Sequence, residues 1–213
     1  MPGKVAGTVF ATALFILTQG QAARAQSDLK KVEVGAHFSS LSLSETRGNP
    51  IFTQPSRWEP GFGGRFTYNV TELLSVEAEL NFFPRTPDFA PVRTGEITQG
   101  LFGAKIGGRG ERFGAFAKIR PGFVRFSRVS NCDESGPSTC DVTARTEPAL
   151  DIGGVVEFYK SSRFLVRVDV GDTIIRYKDI TLFPFVPEFV TPVSIHSGTV
   201  HNFQVSAGIG FRF

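Results

Sequence analysis

The end of the chain, residues 202–213, alternates strictly between apolar residues and polar residues or glycine. The apolar positions are Phe203, Val205, Ala207, Ile209, Phe211 and Phe213. Asn, Gln, Ser, Gly and Arg fill the positions between them. Successive side chains of a β-strand point to opposite faces, so this pattern predicts a strand whose two faces meet different environments.

The same period recurs in seven earlier segments, which are separated by stretches rich in Pro, Gly and charged residues. They cover residues 32–38, 58–69, 74–82, 97–107, 113–126, 150–158 and 164–171. Within the fifth segment, Pro121-Gly122 predicts a β-bulge, because proline cannot donate to a ladder. Eight strands of this kind predict an all-β fold, an eight-stranded antiparallel up-and-down barrel.

The predicted connections alternate between long and short. Long ones fall at 44–57, 84–96, 127–147 and 177–199, whereas short turns fall near 70–73, 108–112 and 160–163. Short turns at one rim and long loops at the other are typical of outer-membrane barrels. We therefore expect four long extracellular loops and both termini at the periplasmic rim.

The two faces of the predicted strands differ in chemistry. One carries the charges Glu33, Arg65, Glu77, Glu79, Lys105, Lys118, Arg120, Asp151, Glu157, Arg167, Asp169 and Arg212. The other is apolar, with rings toward the segment ends at Phe62, Tyr68, Phe82, Phe158, Phe164 and Phe213. A soluble lipocalin-like barrel would place its apolar side chains inside. An outward apolar band with aromatic girdles over a polar interior instead favours a transmembrane barrel.

Charges inside so narrow a barrel must be paired or hydrated. Folding neighbouring strands about their short turns predicts two interior ion pairs, Arg65 with Glu77 and Glu157 with Arg167. At the closing seam, Glu33 begins the first strand and Arg212 ends the last, so a third pair is expected near the periplasmic rim. Asp169 is expected to point inward beside Arg167. Eight strands enclose little more than side-chain volume, so a polar plug is expected rather than an open channel.

Residues 1–25 have the features of a secretory signal peptide. Lys4 gives a positive start, Val5 to Leu17 form an apolar or small run, and Ala23-Arg24-Ala25 fits the cleavage pattern. The run is too short for a helical membrane anchor, which needs about 20 apolar residues. We expect residues 26–213 to form the mature barrel domain.

The charge of the chain does not indicate a nucleic-acid partner. The formal net charge is +3. Without residues 1–25, which contain Lys4 and Arg24 but no acid, 21 basic and 20 acidic residues remain. They form no Lys/Arg run of the kind that binds nucleic acid.

The two cysteines, Cys132 and Cys140, lie in the polar stretch NCDESGPSTC. Export to the oxidising periplasm favours a disulfide, although two free thiols remain the alternative. Two Cys with no nearby His fall short of the four ligands of a structural zinc site. No cofactor or metal is expected.

The last strand, with Ala207, Ile209, Phe211 and a terminal Phe213, resembles the C-terminal signature of bacterial outer-membrane barrels. Residues 26–213 are similar to the small OmpA-like or OmpX-like eight-stranded barrels, and to their barrel part alone. The resemblance implies location in the outer membrane, contact with its lipid, monomeric state and recognition of the C-terminal strand by the barrel-assembly machinery. Barrels of this type include structural tethers, adhesins and a few lipid A-modifying enzymes.

No catalytic site is evident in the sequence. The three histidines are His37, His196 and His201, and only the last two fall at the extracellular side, where a lipid A-modifying enzyme would need His with Ser and a carboxylate. The leading interpretation is a structural or surface-interaction protein that binds an extracellular ligand through its loops. The alternatives are a lipid A deacylase or acyltransferase and a narrow passive pore. The apolar segment 182–193 is expected to cover the barrel mouth or bind a hydrophobic partner.

Overall fold

A computed structural model describes residues 30–44, 57–84, 93–132, 140–182, 193–195 and 198–213. The chain divides into Met1–Lys30 and a second unit, Lys31–Phe213. The predicted signal peptide, residues 1–25, lies outside the described residues, and everything below concerns the second unit. None of the described residues form a helix with the length and hydrophobicity to cross a bilayer.

Ten strands are present in the described residues. They are β1 Val32–Leu43, β2 Arg57–Asn69, β3 Leu74–Phe83, β4 Arg93–Arg109, β5 Phe113–Cys132, β6 Cys140–Tyr159, β7 Phe164–Tyr177, β8 Ile180–Leu182, β9 Val193–Ile195 and β10 Gly198–Arg212. Eight of these, β1 to β7 and β10, correspond to the eight predicted strands. The short β8 and β9 were not predicted.

The eight long strands form a closed antiparallel barrel. Each pairs with its neighbours in sequence, and β10 closes the cylinder against β1. At this seam the register runs from Glu33 opposite Arg212 to Leu41 opposite Gln204. The predicted up-and-down barrel is therefore confirmed, including its closure between the first and last strands.

Hydroxyl side chains shape two of the three short turns. Thr71 Oγ1 accepts hydrogen bonds from the backbone N–H of Leu73 at 3.2 Å and of Leu74 at 3.0 Å. Ser161 Oγ does the same for Phe164 N–H at 3.0 Å. Such side-chain turns reverse the chain over few residues. They place the β2–β3 and β6–β7 turns at the rim where the barrel seam begins.

The third long connection is shorter than predicted. Much of 127–147 continues the β5–β6 hairpin, whose last described pairs are Asn131 with Asp141 and Cys132 with Cys140. Val129, Val142 and Thr143 favour strand because they are β-branched. The polar and charged residues of 127–147 had suggested a loop instead. Residues 133–139 lie outside the described residues.

The fourth long connection contains a two-stranded ribbon. β8 pairs with β9, from Ile180 opposite Ile195 to Leu182 opposite Val193. Most of the apolar segment 182–193 lies outside the described residues, so its covering or binding role stays a prediction.

The β-bulge predicted at Pro121-Gly122 is wrong. Pairing of β5 with β6 continues without a shift through Pro121 and Gly122. Toward β4, the ladder is interrupted between Leu101–Gly122 and Ala104–Ile119 but resumes in the same register, as expected where proline lacks a donor. The register shifts lie nearer the long connections, at Thr94/Ile97 and Phe126/Val129. Gly95 at the first of them has a φ of 81°, which glycine adopts without strain.

The apolar face of the strands lies outside the barrel, as predicted. Its large exposed side chains come from every wall and include Val34, Phe38, Phe66, Leu80, Phe102, Ile106, Ile119, Ile152, Val170 and Ile209. Rings stand near both ends of the strands: Trp58 packs edge-on against Phe203, with centroids 6.0 Å apart, and Phe211 packs against Phe213 at 5.0 Å.

Candidate functional site

The lower interior of the barrel, toward the short turns, is filled by an ion network. It contains six carboxylates and six cations: Glu33, Glu77, Glu79, Asp151, Glu157, Asp169, Arg65, Lys105, Arg109, Lys118, Arg120 and Arg167. Alternation places them inside because every second residue of a strand faces the same way. In their ionised forms the twelve charges cancel.

Arg167 on β7 holds the centre of the ion network. Its Nη2 donates to Glu77 Oε2 at 2.9 Å and to Asp169 Oδ1 at 2.8 Å, and its Nε donates to Asp169 Oδ2 at 2.8 Å. Its Nη1 also donates to Glu77 Oε1. Glu157 lies opposite Arg167 in the register and 3.5 Å from Nη1. The predicted pairs of Arg167 with Glu157 and with Asp169 are therefore present.

The predicted pair of Arg65 with Glu77 is wrong by two residues. Arg65 lies opposite Glu79, and Thr67 lies opposite Glu77. The Arg65 guanidinium reaches Glu79 Oε2 at 3.4 Å and Asp169 Oδ2, from across the barrel, at 3.2 Å. The β2–β3 turn is centred on residue 72 rather than 71, which moves each partner by two positions but keeps every side chain on its face.

Glu33 and Arg212 are register partners but do not form the predicted ion pair. Glu33 accepts from Asn69 Nδ2 at 2.9 Å and lies 3.7 Å from Arg109 Nη2. Arg212 instead donates to the backbone oxygen of Ser161 at 3.2 Å, and its guanidinium lies 4.3 Å from the centroid of the Tyr159 ring. Because Arg212 lies at the end of β10, its side chain contacts the neighbouring β6–β7 turn rather than the interior.

The remaining cations of the ion network bridge acids on different strands. Arg120 Nη1 donates to Glu79 Oε2 at 2.7 Å, and its Nε donates to Asp151 Oδ2 at 2.8 Å. Lys118 lies 3.0 Å from the same Asp151 oxygen. Arg120 and Asp151 are register partners on the adjacent strands β5 and β6. The contact of Arg120 with Glu79 joins β5 to the non-adjacent β3, so pairing of adjacent strands could not find it.

Above the ion network, toward the long connections, lies a layer of neutral polar side chains. Asn81 donates to Gln99 at 2.8 Å, and Gln99 donates to Gln204 at 2.9 Å. Gln204 in turn donates to Ser39 at 3.0 Å. His37 Nε2 lies 2.6 Å from Asn81 Oδ1 and is buried with it. This amide layer closes the lumen from wall to wall.

The uppermost layer of the described interior is apolar, which the sequence analysis missed. Its buried members, the apolar chamber, are Leu41, Leu43, Phe83, Ile97, Val124, Phe126, Val129, Ala149, Ile175 and Tyr177. They occupy inward positions of six strands. The signal was present: the inward residues of β1 change from Glu33 and His37 to Leu41 and Leu43 as the strand approaches the long connection.

Two glycines make room for these layers. A Cβ on Gly63 would lie 2.1 Å from Asn81 Oδ1 and 2.7 Å from His37 Nε2. A Cβ on Gly61 would lie 2.4 Å from the Phe83 ring. Both glycines face inward, where the side chains of neighbouring strands cross the wall of β2.

Of the other two histidines, His201 faces outward near the long-connection rim. Its side chain is 65% exposed, and Nδ1 lies 2.5 Å from Asp172 Oδ2. Within the described residues, no hydroxyl or thiol is recorded in hydrogen-bond contact with His201. His196 lies outside the described residues. No group of three or more His, Cys, Asp or Glu in the described part is placed to hold a metal.

A closed cylinder with an apolar exterior and an interior of paired charges cannot be a soluble fold, whose exterior would have to be polar. In lipid, by contrast, a closed barrel satisfies every backbone group, and its apolar exterior faces hydrocarbon. The fold is therefore that of an eight-stranded transmembrane β-barrel.

Comparison with known proteins gives fold similarities only. No family model matches the sequence, and no curated protein matches it. The N-terminal β-barrel domain of OprF from Pseudomonas aeruginosa is 11% identical over 86% of this chain and 98% of that one, with a TM-score of 0.47. Outer membrane protein W of E. coli is 18% identical over 88% and 100%, with a TM-score of 0.46. Neisserial surface protein A is 12% identical over 85% and 96%, with a TM-score of 0.45.

Proposed function

We propose that the protein is a closed, non-conducting barrel with a structural or surface-interaction role and no enzymatic activity. The observation that supports this most directly is the stacking of three layers inside the barrel. The ion network, the amide layer and the apolar chamber each cross the lumen. A hydrated ion moving along the barrel axis would therefore have to pass three successive barriers, one charged, one of hydrogen-bonded amides and one apolar. A passive pore would need a continuous polar path instead.

Ion flux across a bilayer tests the closed state. Purified protein in planar bilayers should give no steady single-channel steps at moderate voltage. Insertion must be shown in the same preparation, by protection of the strands from external protease in proteoliposomes. A steady unitary conductance from inserted protein would overturn the closed barrel and favour the pore.

The surface role rests on the long connections, which share one rim of the barrel. We propose that they are displayed outside the cell and bind an extracellular ligand, while the apolar exterior contacts outer-membrane lipid and the barrel remains monomeric. Replacing residues 46–55 by a short Gly-Ser turn should leave the folded barrel intact and reduce adhesion of cells to its target surface. Unchanged adhesion after replacement of each long connection in turn would contradict the role.

We further propose export through residues 1–25 and cleavage before Gln26. The N-terminal sequence of protein purified from outer membranes should therefore begin at Gln26. A first residue within 1–20 would contradict the proposed cleavage site.

The enzymatic alternative has one observation in its favour. The contact of His201 with Asp172 is that of a base with an orienting carboxylate. An enzyme would lose its product when His201→Ala or His196→Ala is expressed, so the mass profile of lipid A should change. We expect the profile to be the same for wild type, both variants and cells that lack the protein.

A further inference from the structure

Glu147 is a buried carboxylate without a counter-ion. It lies on an inward position of β6, is 0% exposed, and neither Oε1 nor Oε2 has a hydrogen-bond partner. The other buried carboxylates of the described interior all meet a cation or a donor. Buried polar groups without partners are rare in native proteins and call for a specific explanation.

The surroundings of Glu147 are those of the apolar chamber. Val124 lies directly opposite it on β5, and Ala149 is the next inward residue of its own strand. Phe126 on β5 and Tyr177 on β7 have ring centroids 6.0 Å apart. Because β5 and β7 flank β6, these rings meet over the inner face of β6, beside Glu147.

An unpaired carboxylate in an apolar layer destabilises the fold, since its charge loses water and gains nothing. A glutamine or methionine would fill the same space at lower cost. We propose that Glu147 anchors a binding site in the apolar chamber for an organic ammonium ion with an apolar body. The carboxylate supplies the counter-charge, and the chamber walls bury the hydrocarbon.

The chemistry of the chamber favours an ammonium over a metal ion. Calcium takes 6 to 8 oxygen ligands, whereas Glu147 offers two oxygens and the members of the apolar chamber add only the Tyr177 hydroxyl. An ammonium needs few acceptors and can donate to both oxygens of one carboxylate. Aromatic side chains such as Phe126 and Phe83 suit the apolar part of such a cation.

A second acid provides a matched comparison. Glu59 on β2 also faces inward and is 4% exposed. In the ring order of the strands, β2 stands opposite β6, so the two acids lie on opposite walls. Glu59 already lies 3.9 Å from Arg57 Nε, which leaves Glu147 as the acid whose charge is unanswered.

The ligand reaches Glu147 from the rim that carries the long connections, because the ion network and the amide layer fill the barrel beneath the chamber. The site can therefore be reached from one rim only and is not part of a permeation path. The proposed ammonium site rests on the proposed closed barrel only for the direction from which the ligand approaches. The ion-flux assay tests the closure of the barrel separately.

The test is calorimetric titration of the barrel, residues 26–213 in lipid nanodiscs, with phenethylammonium. Wild type should bind one equivalent saturably. The uncharged 2-phenylethanol and the anionic 3-phenylpropionate should bind about tenfold more weakly or not at all. Glu147→Gln should weaken phenethylammonium binding about tenfold or more, whereas Glu59→Gln should change it less than about threefold.

The stability of the variants separates a ligand site from a structural acid. Glu147→Gln should unfold at a higher urea concentration than wild type without ligand, and phenethylammonium should raise the midpoint of wild type only. Glu147→Met serves as a second variant if the glutamine fails to fold. Absence of saturable binding to wild type, equal binding to Glu147→Gln, or loss of stability in both variants would overturn the proposal.

Discussion

Arg167 shows how a single residue carries much of the interior. Its guanidinium joins Glu77, Asp169 and Glu157, which come from β3, β7 and β6. A buried ion pair gains little over apolar packing, but removal of one partner leaves the other charge buried and uncompensated. The neutrality of the ion network therefore matters more than the energy of any one of its contacts.

Replacing Arg167 tests this neutrality. Arg167→Met keeps most of the volume but leaves the ion network one positive charge short. We expect the free energy of unfolding, measured by urea titration in lipid, to fall by about 3–5 kcal/mol. Arg112→Met, at an exposed turn residue, is the control and should change it by about 0.5 kcal/mol or less. A loss of that small size in Arg167→Met would mean that Glu77 and Asp169 are stabilised without it.

At the scale of elements, side-chain alternation made the faces of the strands predictable. Whether a residue points inward depends only on its odd or even position along the strand. A shift of two residues in the strand register therefore leaves every side chain on the same face. This is why Arg65 and Glu77 were correctly placed inside although they are not partners. The partner depends on the length of the turn: the β6–β7 turn was centred correctly on residue 162, whereas the β2–β3 turn was not.

Two features of the interior lay beyond the sequence pattern. Contacts such as Arg65 with Asp169 and Arg120 with Glu79 join strands that are not neighbours in the barrel, so pairing of neighbouring strands cannot reveal them. The apolar chamber was not predicted because both faces of the strands are apolar there, as at Phe123 and Val124. The alternation between apolar and polar residues therefore disappears in this part of the strands. The extension of β5 and β6 through residues 127–147, which includes Glu147, was interpreted as a loop because of its polar and charged residues.

The long β5–β6 hairpin makes the disulfide prediction specific. Cys132 and Cys140 are directly opposed in the register, and opposed residues of antiparallel strands lie within reach of a disulfide. Peptide mapping of protein from the outer membrane without reduction should recover the two cysteines in one linked pair. Replacing both by serine should reduce stability by about 2–3 kcal/mol on the entropic account of a short loop. Alkylation of both thiols before reduction would show that they are free.

The C-terminal strand should matter more for assembly than for final stability. Ala207, Ile209, Phe211 and Phe213 all face outward, with Phe213 64% exposed, so the terminal ring contributes little to the interior. Phe213→Ala should therefore lower the amount of folded protein in outer membranes severalfold. Its free energy of unfolding, measured after refolding into detergent in vitro, should stay within about 0.5 kcal/mol of the wild-type value. Phe113→Ala, an exposed ring at the same rim, is the matched control. Equal accumulation of both variants would argue against an assembly signal at Phe213.

At the scale of the whole molecule, the polarity of the interior changes along the barrel axis while the exterior stays apolar. Charges lie toward the short turns, amides in the middle and hydrocarbon toward the long connections. The gradient gives the barrel a charged half toward the short turns and an apolar half toward the long connections. Folding in water would expose the outer apolar face, so the stable state of the molecule requires lipid or detergent around it.

This requirement predicts the behaviour of the purified protein on a denaturing gel. In a closed barrel every strand has two partners, so dodecyl sulfate at room temperature cannot open the sheet at an edge, whereas boiling unfolds it. The unboiled mature protein should therefore migrate at a different apparent mass from the boiled one. The Arg167→Met variant should convert to the boiled position at a lower temperature than wild type. A mature protein that stays monomeric in buffer without detergent, and runs at one position whether boiled or not, would be incompatible with a lipid-facing apolar exterior.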